Sequence, residues 1–173
     1  MVQARPLYLG KKQSWQLDIQ PDGHGSINSV PIDGGLLSER VSQRASVLAQ
    51  YSEVRQYLTK MFHHQHEMSD GLIAIGRDMG SVVFEHQAKL KIYLLASTEI
   101  RAKRRYQQLQ SKASHVSLQD AKHNLLLRDE RDKRRKLDPL VITPDQVVIH
   151  TDDLDPGQLC EKVYKLWIEC KEK

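Results

Sequence analysis

The amino-acid sequence predicts an α/β protein in which helices flank a parallel sheet. Three short apolar runs predict strands that are buried on both faces: GLIAIG (71–76), KLKIYLLAS (89–97) and QVVIHT (146–151). Stretches with helical periodicity lie between and after these runs, and this alternation is typical of parallel strands joined by helices. The first 69 residues follow a different sequence pattern, which predicts turn-rich β-structure followed by helices.

Length and composition exclude several classes of protein. The chain has 173 residues, of which 39% are hydrophobic and 28% charged, as in ordinary globular domains and unlike collagens or disordered tails. No run of 18 apolar residues predicts a membrane span, so we expect no membrane association. Two cysteines are too few for a disulfide framework, and they fit a cytoplasmic protein.

The N-terminal region is predicted to contain a β-hairpin followed by two helices. Residues 15–19 and 27–32 alternate with period two around the turn cluster 21–25, which indicates a hairpin. A helix is predicted after Ser38, and a second helix, with Val54 on its apolar face, ends in the polar run 63–67. We therefore predict a subdomain over residues 1–69 and an α/β core over residues 70–173.

Three further helices are predicted, over residues 98–112, 118–131 and 156–172. The block from Glu99 to Lys136 carries 12 Lys and Arg against 5 Asp and Glu, although the whole chain has a net charge of only +4. Such a basic block predicts an anionic partner, and a solvated helix face is the alternative interpretation.

Arg77 and Asp78 follow directly after the first predicted strand of the core. The carboxyl ends of parallel strands are where α/β proteins bind ligands. The Arg77 guanidinium could bind a phosphate with two hydrogen bonds, and Asp78 could accept a hydrogen bond from an amine or a hydroxyl. An Arg–Asp pair that fixes a turn explains the same residues equally well.

A second cluster of charges lies on the predicted helix 118–131 and directly after it. Arg128, Arg131, Asp132 and Arg135 are three and four residues apart and so share a helix face. Arginines beside one carboxylate suit a sugar phosphate, although an exposed, salt-bridged helix is the alternative. The run 101–105 could close over a polyphosphate or simply face solvent.

Taken in order, these segments resemble the bacterial cytidylate kinases, which are nucleoside monophosphate kinases. GLIAIGRDMGSVVF, KIYLLASTEIRAKRRYQQLQ and RDERDKRRKLDPL are similar to three successive segments of that family. The resemblance implies a P-loop-kinase-like sheet with an NMP-binding subdomain and a short LID near residues 101–135. It also implies phosphoryl transfer from ATP, with Mg²⁺, to CMP or dCMP.

The resemblance also implies roles for individual residues. The cytosine contacts are Ser46, Arg55 and Asp78, and the sugar contacts are Arg128 and Asp132. The CMP-phosphate contacts are Arg77 and Arg135. The arginines expected to steady ATP in the LID are Arg101, Arg104 and Arg105.

The sequence departs from the family pattern on the ATP side. No segment has the form G-x-x-x-x-G-K-[ST], and Ile75 and Leu95 stand where the family has acidic or polar residues near Mg²⁺. We therefore expect an N-terminally truncated cytidylate kinase that lacks the first strand and the P-loop helix and is inactive alone. A separate chain could supply the P-loop segment, and the strands around Ile73 and Ile92 would otherwise lack a partner.

Two other functions compete with the kinase. One is a non-catalytic CMP-binding or nucleotide-sensing module, because the acceptor half of the site is largely present while the ATP half is absent. The other is a nucleic-acid-binding protein that uses the basic block. Only 6% of the residues are aromatic, and acidic residues interrupt the arginines, so we expect no nucleic-acid partner.

Overall fold

The computed structural model describes residues 17–19, 25–32, 38–110 and 116–172. The chain divides into two compact units, with the boundary between Leu48 and Ala49. This division groups the second helix with the C-terminal unit, whereas the sequence-based boundary near residue 69 places that helix in the NMP-binding subdomain. The functional division at residue 69 stays a prediction.

The smaller unit contains a three-stranded antiparallel sheet and one helix. The strands are β1 (Leu17–Ile19), β2 (Gly25–Ile27) and β3 (Val30–Pro31), and the helix is α1 (Glu39–Leu48). The predicted hairpin is confirmed, since β1 pairs antiparallel with β2, but its second strand begins earlier than expected, at Gly25, and the chain reverses again at Asn28 and Ser29 to form β3. Both turn residues have positive φ (50° and 66°), the backbone that two-residue hairpin turns require.

The larger unit contains a parallel strand pair and helices, which confirms the predicted α/β class. Strand β4 (Ile92–Leu95) pairs in parallel with β5 (Val147–His150), with Ile92 opposite Val147. The helices are α2 (Ser52–Glu67), α3 (Thr98–Gln110), α4 (Leu118–Arg134) and α5 (Pro156–Lys171). Helix α4 runs three residues beyond the predicted end, and part of the predicted end of α3 lies outside the described residues.

The predicted strand over residues 71–76 is not formed. This segment pairs with no strand among the described residues, and Ile73 and Ile75 are 91% and 93% exposed. A strand needs a hydrogen-bonded neighbour, and an apolar run alone does not supply one. The run has the apolar composition of a buried strand, but the strand predicted from it is wrong.

Helices α3 and α4 pack against each other and carry most of the basic block. Their contact surface contains small and apolar side chains, with Ala102, Leu109 and Ala121 all buried. Lys122 on α4 donates a 2.8 Å hydrogen bond to Glu99 on α3, which adds an ion pair across the two helices. This pairing faces the arginines of one helix toward the carboxylates of the other.

A π-helical turn, Met79–Val83, follows directly after Arg77 and Asp78. The amide of Phe84 bonds the carbonyl of Met79 at 2.8 Å, five residues back, which is the defining spacing of a π-helix. Gly76 precedes this turn, and a Cβ there would lie 2.8 Å from Cγ of Met79, so a larger residue would require the Met79 side chain to move. Such turns occur often at functional sites because they redirect neighbouring side chains.

Helix α2 is held against the π-helical turn by two histidines. The His63 ring N–H donates to the Val83 carbonyl, and the rings of His63 and His66 lie 5.5 and 5.9 Å from the ring of Phe84. The polar run at the end of α2 is therefore partly packed. This contact brings Arg55, near the start of α2, into the same unit as Asp78.

None of the helices among the described residues combines the length and apolar character needed to cross a membrane.

Candidate functional site

Asp78 lies at the centre of a closed ring of charged groups. Its Oδ2 accepts a hydrogen bond from Nη2 of Arg55 on α2 and another, at 2.9 Å, from Nη2 of Arg135 at the end of α4. Asp138 completes the ring: its carboxylate pairs with Nε of Arg55, and its main-chain carbonyl accepts from Nε of Arg135. The structure thus brings together three residues that the resemblance implies for CMP binding.

A second group of charges surrounds two carboxylates of α4. Arg77 donates to Oδ1 of Asp129 at 3.0 Å, and its Nε lies 3.5 Å from Oδ2 of Asp132. Arg101 on α3 pairs with the other oxygen of Asp129, and Arg128 lies 3.6 Å from Asp132. Residues from the turn, α3 and α4 therefore meet at one place.

Positive charge exceeds negative charge at this second group. Burial and the neighbouring charges of Arg77 and Arg105 lower the pKa of the Arg128 guanidinium, against the opposing attraction of Asp132 and Asp129. A guanidinium remains protonated at any working pH, so the shift shows that the charged form is disfavoured here. An anionic ligand would offset the part of this energy that comes from the neighbouring arginines, although burial is the larger cause.

An open cleft of about 510 Å³ adjoins this excess of positive charge. It is lined by Arg77, Arg101, Arg104, Arg105, Gln108 and Leu125. Four guanidinium groups give this cleft a positive lining, and such groups can offer parallel N–H pairs to phosphate oxygens.

The exposure of the arginines separates them into two groups. The side chains of Arg77 and Arg101 are each 32% exposed, so a ligand could reach them directly. The side chain of Arg135 is only 2% exposed, and both of its bonded nitrogens face protein oxygens. Arg135 therefore holds Asp78, and its side chain is shielded from solvent.

Arg104 bonds main-chain oxygens of the turn after β5. Its guanidinium donates to the hydroxyl of Thr151 at 3.0 Å, to the carbonyl of Thr151 and, at 3.3 Å, to the carbonyl of Leu154. Arg105 donates to Gln108 at 2.8 Å within α3. The arginines expected in the LID, Arg101, Arg104 and Arg105, therefore line one cleft but form hydrogen bonds with different partners.

Ser46 belongs to the smaller unit, where it is buried in α1. Sequence reasoning missed Asp129 and Asp138. Asp129 lies in an acidic–basic run where several carboxylates are equivalent by spacing, and Asp138 lies outside any periodic element. The sequence feature that could have pointed to Asp138 is its position directly before Pro139, beyond the end of α4.

Metal-ligating side chains are not clustered among the described residues. No group of three or more His, Cys, Asp or Glu side chains among them could hold a metal. Ile75 offers no oxygen to a hydrated cation, and its side chain is exposed.

Comparison with known proteins gives the same family that the sequence segments resemble. The cytidylate kinase family model matches residues 7–169. A cytidylate kinase of Dichelobacter nodosus is 43% identical over 141 residues, which cover 82% of this chain and 62% of that protein. Cytidylate kinases of Rickettsia akari and Chlamydia muridarum are 39% and 38% identical, over 72% and 79% of this chain and 57% and 61% of their own lengths.

The chain thus spans about three fifths of the length of the curated relatives that it matches. The matched region includes every segment that carries the charged groups described above. The parallel strand pair with flanking helices agrees with the P-loop nucleoside monophosphate kinase fold. On this evidence the chain belongs to the cytidylate kinase family.

Proposed function

We propose that this chain provides the CMP-binding side of a cytidylate kinase, which transfers a phosphoryl group from ATP to CMP or dCMP. The observation that supports this most directly is the convergence of arginines and carboxylates from α2, the π-helical turn, α3 and α4. Four separate segments contribute to it, and an exposed ion-pair ladder on a single helix would not require that. The related proteins named cytidylate kinase support the same function.

In this proposal, the acceptor phosphate lies against the accessible guanidinium of Arg77. Asp129 now balances the charges of both Arg77 and Arg101, and a phosphate would compete with it for those N–H groups. Arg128 and Asp132 would hold the sugar, with the carboxylate accepting from a hydroxyl. Arg135 would reach the phosphate only by exchanging its contact with Asp78.

The base would be read by Arg55 and Asp78, and the contact of Ser46 with cytosine stays a prediction from the resemblance. Cytosine presents an amine beside acceptor atoms, so one carboxylate and one guanidinium match its edge, whereas uracil has an oxygen in place of the amine. The Asp78 carboxylate can accept from that amine and would repel the uracil oxygen.

The cleft lined by Arg101, Arg104 and Arg105 is the proposed place of the ATP phosphates. Catalysis of phosphoryl transfer is largely a matter of positioning and charge stabilisation, which guanidinium groups supply. Arg104 would have to exchange its bonds to the 151–154 turn to take part. Mg²⁺ belongs to the family chemistry, and such an ion is usually held by one or two carboxylates, by water and by the substrate phosphates.

ATP and CMP or dCMP are the partners of this proposal, and none of the observations supports a separate chain that supplies a P-loop. Both cysteines are free, which fits the reducing cytoplasm in which we place the protein.

Calorimetry with CMP and cytidine tests the phosphate contact. We expect Arg77→Ala to weaken CMP binding by about tenfold or more, the scale of about 1.5–3 kcal/mol for a charge-assisted hydrogen bond, and to leave cytidine binding unchanged. Arg134→Ala is the matched control, because this exposed arginine of α4 pairs only locally with Glu130. Equal loss for CMP and cytidine, or equal loss in both variants, would contradict the proposal.

A further inference from the structure

Asp138 joins the two arginines of the Asp78 ring, although it lies outside every helix and strand. It follows the end of α4 and precedes Pro139, and its side chain is 36% exposed. Its carboxylate pairs with Nε of Arg55, and its main-chain oxygen accepts from Nε of Arg135. One residue thus contacts two arginines that come from α2 and from the end of α4.

The backbone of Asp138 suits this double contact. Its φ is 49°, in the left-handed region that most side chains avoid and that Asp, Asn and Gly adopt more readily. The following proline disfavours the right-handed helical conformation at this position, so the helix cannot simply continue through it. The main-chain oxygen is thereby directed back to Arg135 while the side chain reaches Arg55.

Arg55 is fixed at two of its three nitrogens. Nε bonds Asp138, Nη2 bonds Asp78, and Nη1 lies 3.5 Å from the carbonyl of Ala49. A planar guanidinium held at two nitrogens cannot rotate about its own axis. Burial lowers the pKa of Arg55, but the hydrogen bonds and charges of Asp138 and Asp78 outweigh burial and raise it, so the group stays charged.

We propose that Asp138 is a positioning residue that orients Arg55 and thereby sets the preference of the site for cytosine over uracil. This inference rests on the proposed function, in which Arg55 reads the base. Asp138 itself need not touch the ligand. Its side chain fixes Arg55, whereas its hold on Arg135 uses the main chain and does not depend on the side chain.

The test compares three chains by calorimetry with CMP, UMP and cytidine. Asp138→Gly keeps the left-handed backbone accessible and removes only the link to Arg55. Asp138→Asn keeps both the backbone preference and an oxygen acceptor, so it serves as the conservative rescue. Asp145→Asn is the matched control, because Asp145 is another loop carboxylate that pairs with a basic side chain, Lys91, away from the ring.

We expect Asp138→Gly to reduce the ratio of CMP to UMP affinity by about tenfold, the effect of one lost charge-assisted hydrogen bond. The ratio of CMP to cytidine affinity should stay unchanged, since the phosphate contacts do not involve this side chain. Asp138→Asn and Asp145→Asn should keep the wild-type preference. A purely structural role would lower the affinity for all three ligands together, and that result would overturn the proposal.

A ligand-free measurement separates this inference from the proposed function. The Arg55 Nε–H should give a resonance protected from exchange with water in the unmodified chain and in Asp138→Asn, and unprotected in Asp138→Gly. If the unmodified chain shows no preference for CMP, the proposed function fails whatever this resonance shows. If the chain prefers CMP and Asp138→Gly keeps both the preference and the protection, the role of Asp138 is overturned.

Discussion

The arginines of the site differ in how far their charges are compensated. Arg135 and Arg55 are covered and bond carboxylates or carbonyls, so they contribute mainly to holding Asp78 in place. Arg77 and Arg128 share the two carboxylates of α4 and remain partly open to solvent. A ligand would therefore contact Arg77 and Arg128 directly, and Arg55 and Arg135 would shape the site around it.

Replacing Arg135 should affect stability more than any other single arginine. Arg135→Ala leaves the buried Asp78 with one guanidinium where it had two, and the loss of one hydrogen bond to a charged group costs about 1.5–3 kcal/mol. Urea unfolding measures this loss, and Arg134→Ala should lie within about 0.5 kcal/mol of the unmodified chain. An unchanged unfolding free energy in Arg135→Ala would contradict the structural role of this arginine.

At the scale of elements, one ion pair joins three parts of the larger unit. Nζ of Lys91, directly before β4, bonds the carboxylate of Asp145, before β5, and the carbonyl of Glu85, beyond the π-helical turn. Thr143 also donates to Asp145. These hydrogen bonds, that of Lys91 first, lower the pKa of Asp145 from 3.8 to about 2.

This lowered pKa predicts how stability depends on pH. A carboxyl group whose pKa is lower in the folded state binds protons more readily in the unfolded state, so its contribution is complete above pH 3.8 and is lost as the pH falls toward 2. The difference in unfolding free energy between the unmodified chain and Asp145→Asn should therefore be constant from about pH 7 to pH 5 and shrink below pH 4. Asp153→Asn, an exposed carboxylate of the next turn, is the control. A difference that grows on acidification would contradict the assignment.

The periodic elements could be predicted from the sequence, and the non-periodic ones could not. β4, β5 and the helices follow from the spacing of apolar residues along the sequence. The run 71–76 has the same composition as β4, yet it has no pairing partner among the described residues, and composition carries no information about partners. The turn at Asn28 interrupts an alternating stretch that otherwise predicts one strand.

The charged groups could be predicted only in part for the same reason. Arg128 and Asp132 are one helical turn apart, so their proximity follows from the period of a helix. The contact of Asp78 with Arg55 and Arg135 joins segments 23 and 57 residues apart and follows from packing. Asp138 has no periodic neighbour at all, so no spacing rule could identify it.

For the molecule as a whole, we expect CMP binding without catalytic turnover. The 173 residues contain no G-x-x-x-x-G-K-[ST] segment, whose backbone N–H groups and lysine bind the phosphates of ATP. We expect this chain to bind CMP and to form no CDP above background when ATP and Mg²⁺ are added. A coupled ADP assay checks this, and a rate of about 1–100 s⁻¹ would contradict it.

The ring of Arg55, Asp78, Arg135 and Asp138 also constrains how this sequence can change over evolutionary time. Two positive and two negative groups cancel, so any single charge-removing substitution leaves an unbalanced charge among poorly hydrated neighbours. A lineage would have to pass through a weakened intermediate, or replace an arginine and an aspartate together. A change at position 138 should weaken the ring least, since that side chain is 36% exposed and the bond to Arg135 comes from the main chain. Such a change would still release Arg55 and alter the choice of base, so we expect an acceptor side chain to persist at position 138 and correlated replacements at the other three positions.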